Sequence, residues 1–181
     1  TFRFILISTV YTFNLMFSSL IVVFLAFFKN FSLAAEMGIV TSFWISLTQI
    51  FSSNMRSIIT SENNLDMAKE TLLYRFFFSI ILLSAFYVFL NTVFLTEYVD
   101  FIFSITLLIL AQWIFEMSLV KYEIKNQNNL FYIFQLINVI LVILIITLIA
   151  QDQLELITTF IFIYVSIILL LILFELLALK K

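Results

Sequence analysis

GIVTSFWISLTQIFSSNMRSIIT, residues 38–60, is the least apolar of several long hydrophobic stretches in this 181-residue chain. Gly38, Ser42, Ser46, Gln49, Ser53, Arg56 and Thr60 recur at steps of three or four, so in an α-helix they share one face. Ile39, Phe43, Leu47, Ile50 and Ile58 suit lipid or a neighbouring helix. Unpaired polar atoms in hydrocarbon are costly. The polar face is therefore expected to line a cavity, with Ser42, Ser46, Gln49, Ser53 and Arg56 meeting substrate or water. The competing reading is that its small residues only let helices pack closely and hydrogen-bond to each other.

Composition sets the class. Hydrophobic residues make up 64% of the chain and charged residues 11%, with a mean hydropathy of +1.20. A soluble domain is roughly half apolar and about a quarter charged. The chain reads as an all-α integral membrane protein. With 24 Phe, 1 Gly and 0 Pro, its apolar runs are long and uninterrupted, which favours helical spans over the short alternating strands of a barrel. Without cysteine or histidine, disulfides, thiol nucleophiles and the usual zinc or haem sites are excluded. No cofactor is expected. No basic patch exists to hold nucleic acid.

Outward from the first stretch, six spans are expected, at about 4–28, 38–60, 71–95, 101–120, 130–150 and 156–178. Each is long enough to cross a hydrocarbon layer of roughly 30 Å. The first carries Tyr11, Asn14 and Ser18 on one face, which adds Asn14 to the expected cavity lining. The connections are read at 29–37, 61–70, 96–100, 121–129 and 151–155, and SENNLDMAKE, residues 61–70, is the longest aqueous one. Arg3, Arg56, Lys69, Arg75, Lys121, Lys125, Lys180 and Lys181 fall on one side of this layout and Lys29 on the other. Because Lys and Arg concentrate on cytoplasmic flanks, both termini are expected in the cytoplasm. A Thr at position 1 and an apolar run starting at once are read as a piece of a longer chain.

Four charges then fall at membrane depth on the cytoplasmic side: Arg56, Arg75, Glu116 and Glu175. Arg75 and Glu175 are expected to snorkel to the headgroups. Glu116 is shorter and lies farther in, so it needs a partner, a wet cavity or a proton. A charge at that depth costs about 2.5 to 3.5 kcal/mol. The expected pair is Arg56 with Glu116, a cytoplasmic gate to which Arg75 also contributes; Arg56→Ala and Glu116→Ala are each expected to impair transport. A freed Arg56 suits an anionic or sugar-bearing substrate. Enzymatic chemistry is not expected, since the sequence has no Gly-rich phosphate loop and no carboxylate pair beyond Glu97 and Asp100 in a short acidic turn.

Ala35-Glu36-Met37-Gly38 and SSNMRSIITSENNLDMAKETLLYR, residues 52–75, resemble the start of the polysaccharide (O-antigen) flippases of the multidrug/oligosaccharidyl-lipid/polysaccharide exporter superfamily. The resemblance covers the first half of the chain. It implies a transporter of undecaprenyl-phosphate-linked oligosaccharide across the cytoplasmic membrane, in contact with membrane lipids and built of two six-helix lobes about a central cavity. This chain would supply the first lobe, and the remaining half of the transporter is its expected partner. The spans lack the Gly and Pro kinks common in that family. Two alternatives stand beside it, a small-molecule or drug exporter of the same superfamily and a structural membrane subunit that transports nothing.

Overall fold

The structure, a computed structural model, describes residues 16–28, 30–52, 55–92, 98–124 and 128–178. Among the described residues there are helices and no strands: α1 (Met16–Phe27), α2 (Phe31–Ser52), α3 (Met55–Glu62), α4 (Leu65–Thr92), α5 (Val99–Ile124), α6 (Asn128–Ala150) and α7 (Leu154–Ala178). Four stretches are long and apolar enough to cross a membrane: Phe31–Glu62, Leu65–Thr92, Val99–Ile124 and Leu154–Leu173. The apolar segments Met16–Phe27 and Leu136–Ala150 are shorter. The chain is a membrane-embedded helical protein.

The helices run longer than the sequence reading placed them, and the polar connections shrink accordingly. The expected connection at 29–37 is mostly helix, because α2 starts at Phe31 with its first bond from Ala34 N–H to Asn30 C=O. Gly38 is thus inside α2. A methyl group there would meet Val22 Cγ1 at 3.8 Å, an ordinary contact, so neither conformation nor space demands glycine. The expected aqueous loop at 61–70 reduces to Asn63 and Asn64. Asn63 takes a left-handed φ of 52°, which asparagine tolerates better than most residues. Asn64 N–H then reaches back to Ile59 C=O, while the Asn64 side chain accepts from Met67 N–H at 3.0 Å and caps α4. Asp66 adds a carboxylate to the first turn of α4, where the helix dipole favours it.

The link from α6 to α7 uses the same device. Asp152 has φ 57°, Gln153 N–H bonds to Leu148 C=O and Asp152 N–H to Ile149 C=O, the paired bonds that close a helix C-terminus. This connection lies where the sequence placed it.

The centre of the bundle is α5, which contacts α2, α3, α4, α6 and α7, most extensively α4 and α7. Its buried residues include Ile102, Ile105, Leu108, Leu110, Ala111, Ile114, Met117 and Val120 and so occupy all sides of the helix. The other helices, apart from the short α3, present one main buried stripe each. On α7 it is Ile157, Ile161, Val165, Ile168 and Ile172, on α2 Leu33, Met37, Val40, Trp44 and Thr48, and on α1 Phe17, Ile21 and Leu25. Their spacing is that of one helix face. A part-buried polar contact ties α6 to α7, where the Tyr164 hydroxyl donates to Asn138 Oδ1.

Lipid is as apolar as the bundle interior, so removing core methylenes in a membrane loses packing more than transfer free energy. Ile105→Ala, at a side chain with no exposure, is expected to cost about 2 kcal/mol, the low end for such truncations. Ile163→Ala, on the outer face of α7, should cost under about 0.5 kcal/mol. Thermal unfolding of the two detergent-solubilised variants checks the difference.

Candidate functional site

Where α2, α4 and α5 meet, charge is taken into the bundle. The inward face of α4 reads Ala68, Thr71, Leu72, Arg75 and Ser79, all buried, a single helical stripe. Arg75 belongs to it by position, about 15 Å of rise beyond the start of α4. Its side chain is 1% exposed. It does not snorkel: the α4 stripe directs it onto α5 instead of outward. There Nη1 donates to Glu116 Oε2 and to the Trp113 carbonyl, both at 2.7 Å. Nη2 donates to Ser52 Oγ at 3.3 Å, and the guanidinium lies 4.8 Å from the centre of the Trp113 ring, within cation–π range.

Ser52 is the shared node. Its oxygen accepts from Trp113 Nε1 at 2.8 Å as well as from Arg75, and its own proton goes to the Thr48 carbonyl at 2.7 Å. One hydroxyl thereby ties α2, α4 and α5 together. Arg75 Nε is buried without a hydrogen-bond partner among the described residues.

Arg56 forms a second, more exposed pair. Its Nη2 lies 3.1 Å from Glu123 Oε2 and 3.4 Å from Oε1, with the two side chains 27% and 20% exposed. Glu123 is seven residues beyond Glu116, on the same face of α5 and about 10 Å farther along it. The expected Arg56–Glu116 pair is therefore replaced by two others. Arg75 takes Glu116 because it is buried opposite it, and Arg56 sits on the short α3, level with the end of α5.

Two cavities adjoin this cluster. The first, of about 250 Å³, is lined by Ser18, Thr48, Gln49, Ser52, Arg56, Gln112, Trp113 and Glu116 together with Ile45 and Ile109. Gln112 Nε2 is buried there without a partner among the described residues. The second, of about 380 Å³, opens on the α3 side and is lined by Gln49, Ser52, Met55, Arg56, Ser57, Arg75 and Glu116.

Of the expected lining, Gln49 and Arg56 reach both cavities, and Arg75 and Glu116, two of the residues expected to form a gate, are brought together. Ser42 and Ser46 are exposed and stand outside both linings. Ser53 and Asn14 lie outside the described residues, as does the side chain of Glu175. Asp100 is exposed in the first turn of α5, and Glu97 lies outside the described residues. The sequence reading missed Thr48, Ser52, Trp113 and Glu123. A signal existed for the first two: Thr41, Thr48 and Ser52 run along α2 at helical spacing beside the stripe that was chosen.

Comparison with protein-family models, characterised proteins and solved structures gives no match for this chain. The site is accordingly read from its own chemistry.

Removing one partner of a buried ion pair leaves the other charge uncompensated, at a cost of about 3 to 5 kcal/mol, whereas replacing both with apolar groups of similar size is often neutral. Arg75→Met is expected to lower the unfolding temperature steeply, and Arg75→Met with Glu116→Leu to recover most of the loss. A double-mutant cycle followed by thermal unfolding measures the coupling.

Proposed function

We propose that this chain forms one six-span lobe of a two-lobe transporter in the cytoplasmic membrane, carrying lipid-linked oligosaccharide between leaflets by alternating access. Its termini lie on the cytoplasmic side, where eight of the nine Lys and Arg residues of the sequence gather under the six-span layout. The observation that carries the reading is the cavity of about 250 Å³ walled by Thr48, Gln49, Ser52, Gln112 and Glu116 inside a bundle of apolar helices. Hydroxyl, amide and carboxylate groups at such a place cost free energy unless something meets them; Thr48, Ser52 and Glu116 have protein partners, which leaves the Gln112 amide to water or a polar ligand. Gln112 Nε2, without a partner among the described residues, is a donor left over for such a ligand.

The exposed Ser42 and Ser46 fit the same proposal. On a single lobe, the face of α2 that turns outward is available to a second lobe, and the passage runs between the two. A second reading rests on the same pair. Hydroxyls on an outward helix face also suit dry helix–helix association, which would make the chain an assembly subunit.

The test is full-length protein in proteoliposomes containing a fluorescent polyprenyl-diphosphate-linked oligosaccharide, with an impermeant quencher reporting which leaflet holds the label. Protein-dependent equilibration is expected, slowed about tenfold by Gln112→Leu, the loss of one ligand hydrogen bond. Folded protein that leaves the label in its original leaflet overturns the proposal and favours the assembly subunit.

A further inference from the structure

The second cavity has a charge inventory of its own. Arg56 and Arg75 reach it from different helices, and among the described residues only one carboxylate, Glu116, shares the lining. Glu123 holds Arg56 from outside that lining, at the end of α5. Gln49, which is exposed, and Ser57 add an amide and a hydroxyl. Arg75 is fully buried, and its Nε–H finds no acceptor among the described residues. A buried donor of this kind calls for an acceptor, since leaving it unmet forfeits about 1 to 3 kcal/mol.

The ligand chemistry follows from these groups. A cation would face two guanidiniums. A neutral ligand would use the hydroxyl and amide but not the charge. A tetrahedral oxyanion suits both, because guanidinium presents parallel N–H donors that match phosphate oxygens. We infer that this cavity is an oxyanion site for a phosphate-type group, with Arg56 and Arg75 as its charged donors and Glu116 as the carboxylate the anion competes with. The site lies within one group of helices, α2 to α5, and it requires no second lobe. The inference concerns binding alone and does not rest on transport.

Competition makes a specific prediction. An anion that approaches Arg75 is repelled by Glu116, so neutralising that residue without shortening it should tighten binding, whereas losing Arg56 should weaken it. Only two tryptophans occur in the sequence, Trp44 and Trp113, and Trp113 lies against the Arg75 guanidinium. In a Trp44→Phe background, Trp113 emission reports directly on the site.

The full chain in phosphatidylcholine nanodiscs is titrated with inorganic pyrophosphate. A saturable change in Trp113 emission is expected, with affinity raised about tenfold in Glu116→Gln, lowered about tenfold in Arg56→Gln and less affected in Arg56→Lys. Repeating the titration in discs containing phosphatidic acid assigns the source. A weakened pyrophosphate response there shows a lipid headgroup occupying the site, and an unchanged one shows a site for free anions. Both support the inference. Absence of saturation in every disc, equal affinity in Arg56→Gln, or weaker binding in Glu116→Gln overturns it.

Discussion

A guanidinium cannot be left alone in hydrocarbon. That constraint shapes the structure around Arg75, because each helix near it supplies something the charge requires. From α5 come a carboxylate, a backbone carbonyl and an indole face; α2 contributes the hydroxyl of Ser52. None of these partners can be withdrawn cheaply in a low-dielectric medium. The helices that carry them are thereby fixed in rotation and in height. Apolar packing alone does not achieve this in a membrane, because a leucine facing lipid is about as well solvated as one facing another helix.

The same point explains why the centre of the bundle is not its most apolar helix. The central helix, α5, carries Ser104, Thr106, Gln112, Glu116 and Ser118, and most of its residues are buried. By contrast α7 is nearly all aliphatic and aromatic, and only one stripe of it is covered. Polar side chains gather where protein surrounds them: Ser104 donates to the Phe101 carbonyl and Glu116 accepts from Arg75, while Thr106, Gln112 and Ser118 keep buried atoms without partners among the described residues, and lipid accepts the apolar rest. In a soluble protein the ordering would be reversed.

This reversal set what could be read from the sequence. The class of protein and the existence of helices around 31–62, 65–92, 99–124 and 154–178 follow from composition and run length, which do not depend on what each helix touches. Helix ends differ from the sequence expectation where polar residues lie at helix termini. Glu36 lies inside α2, and Glu62 and Asp66 stand within two residues of a two-residue connection, since helices extending beyond hydrocarbon carry charge freely in water. The site was legible in its residue types but not in its pairings. Glu116 does need a partner, yet whether Arg56 or Arg75 supplies it depends on the rotation of α4. Hydropathy could not reveal that rotation, because Phe77, Ile80 and Ile81 on the outward face are as apolar as the inward Leu72. The choice of Ser42 and Ser46 as cavity-lining residues selected a face of α2 next to the inward one.

The two flanks of α5 are fastened by different physics. Toward α4 the join is electrostatic and directional, so its register has one low-energy setting. Toward α7 the covered stripe consists of five β-branched side chains, Ile157, Ile161, Val165, Ile168 and Ile172, stiff at χ1 and without polar atoms. Dispersion between such surfaces has no preferred direction, and shape alone sets where they come to rest. One flank of the central helix is held by directional bonds and the other by shape alone.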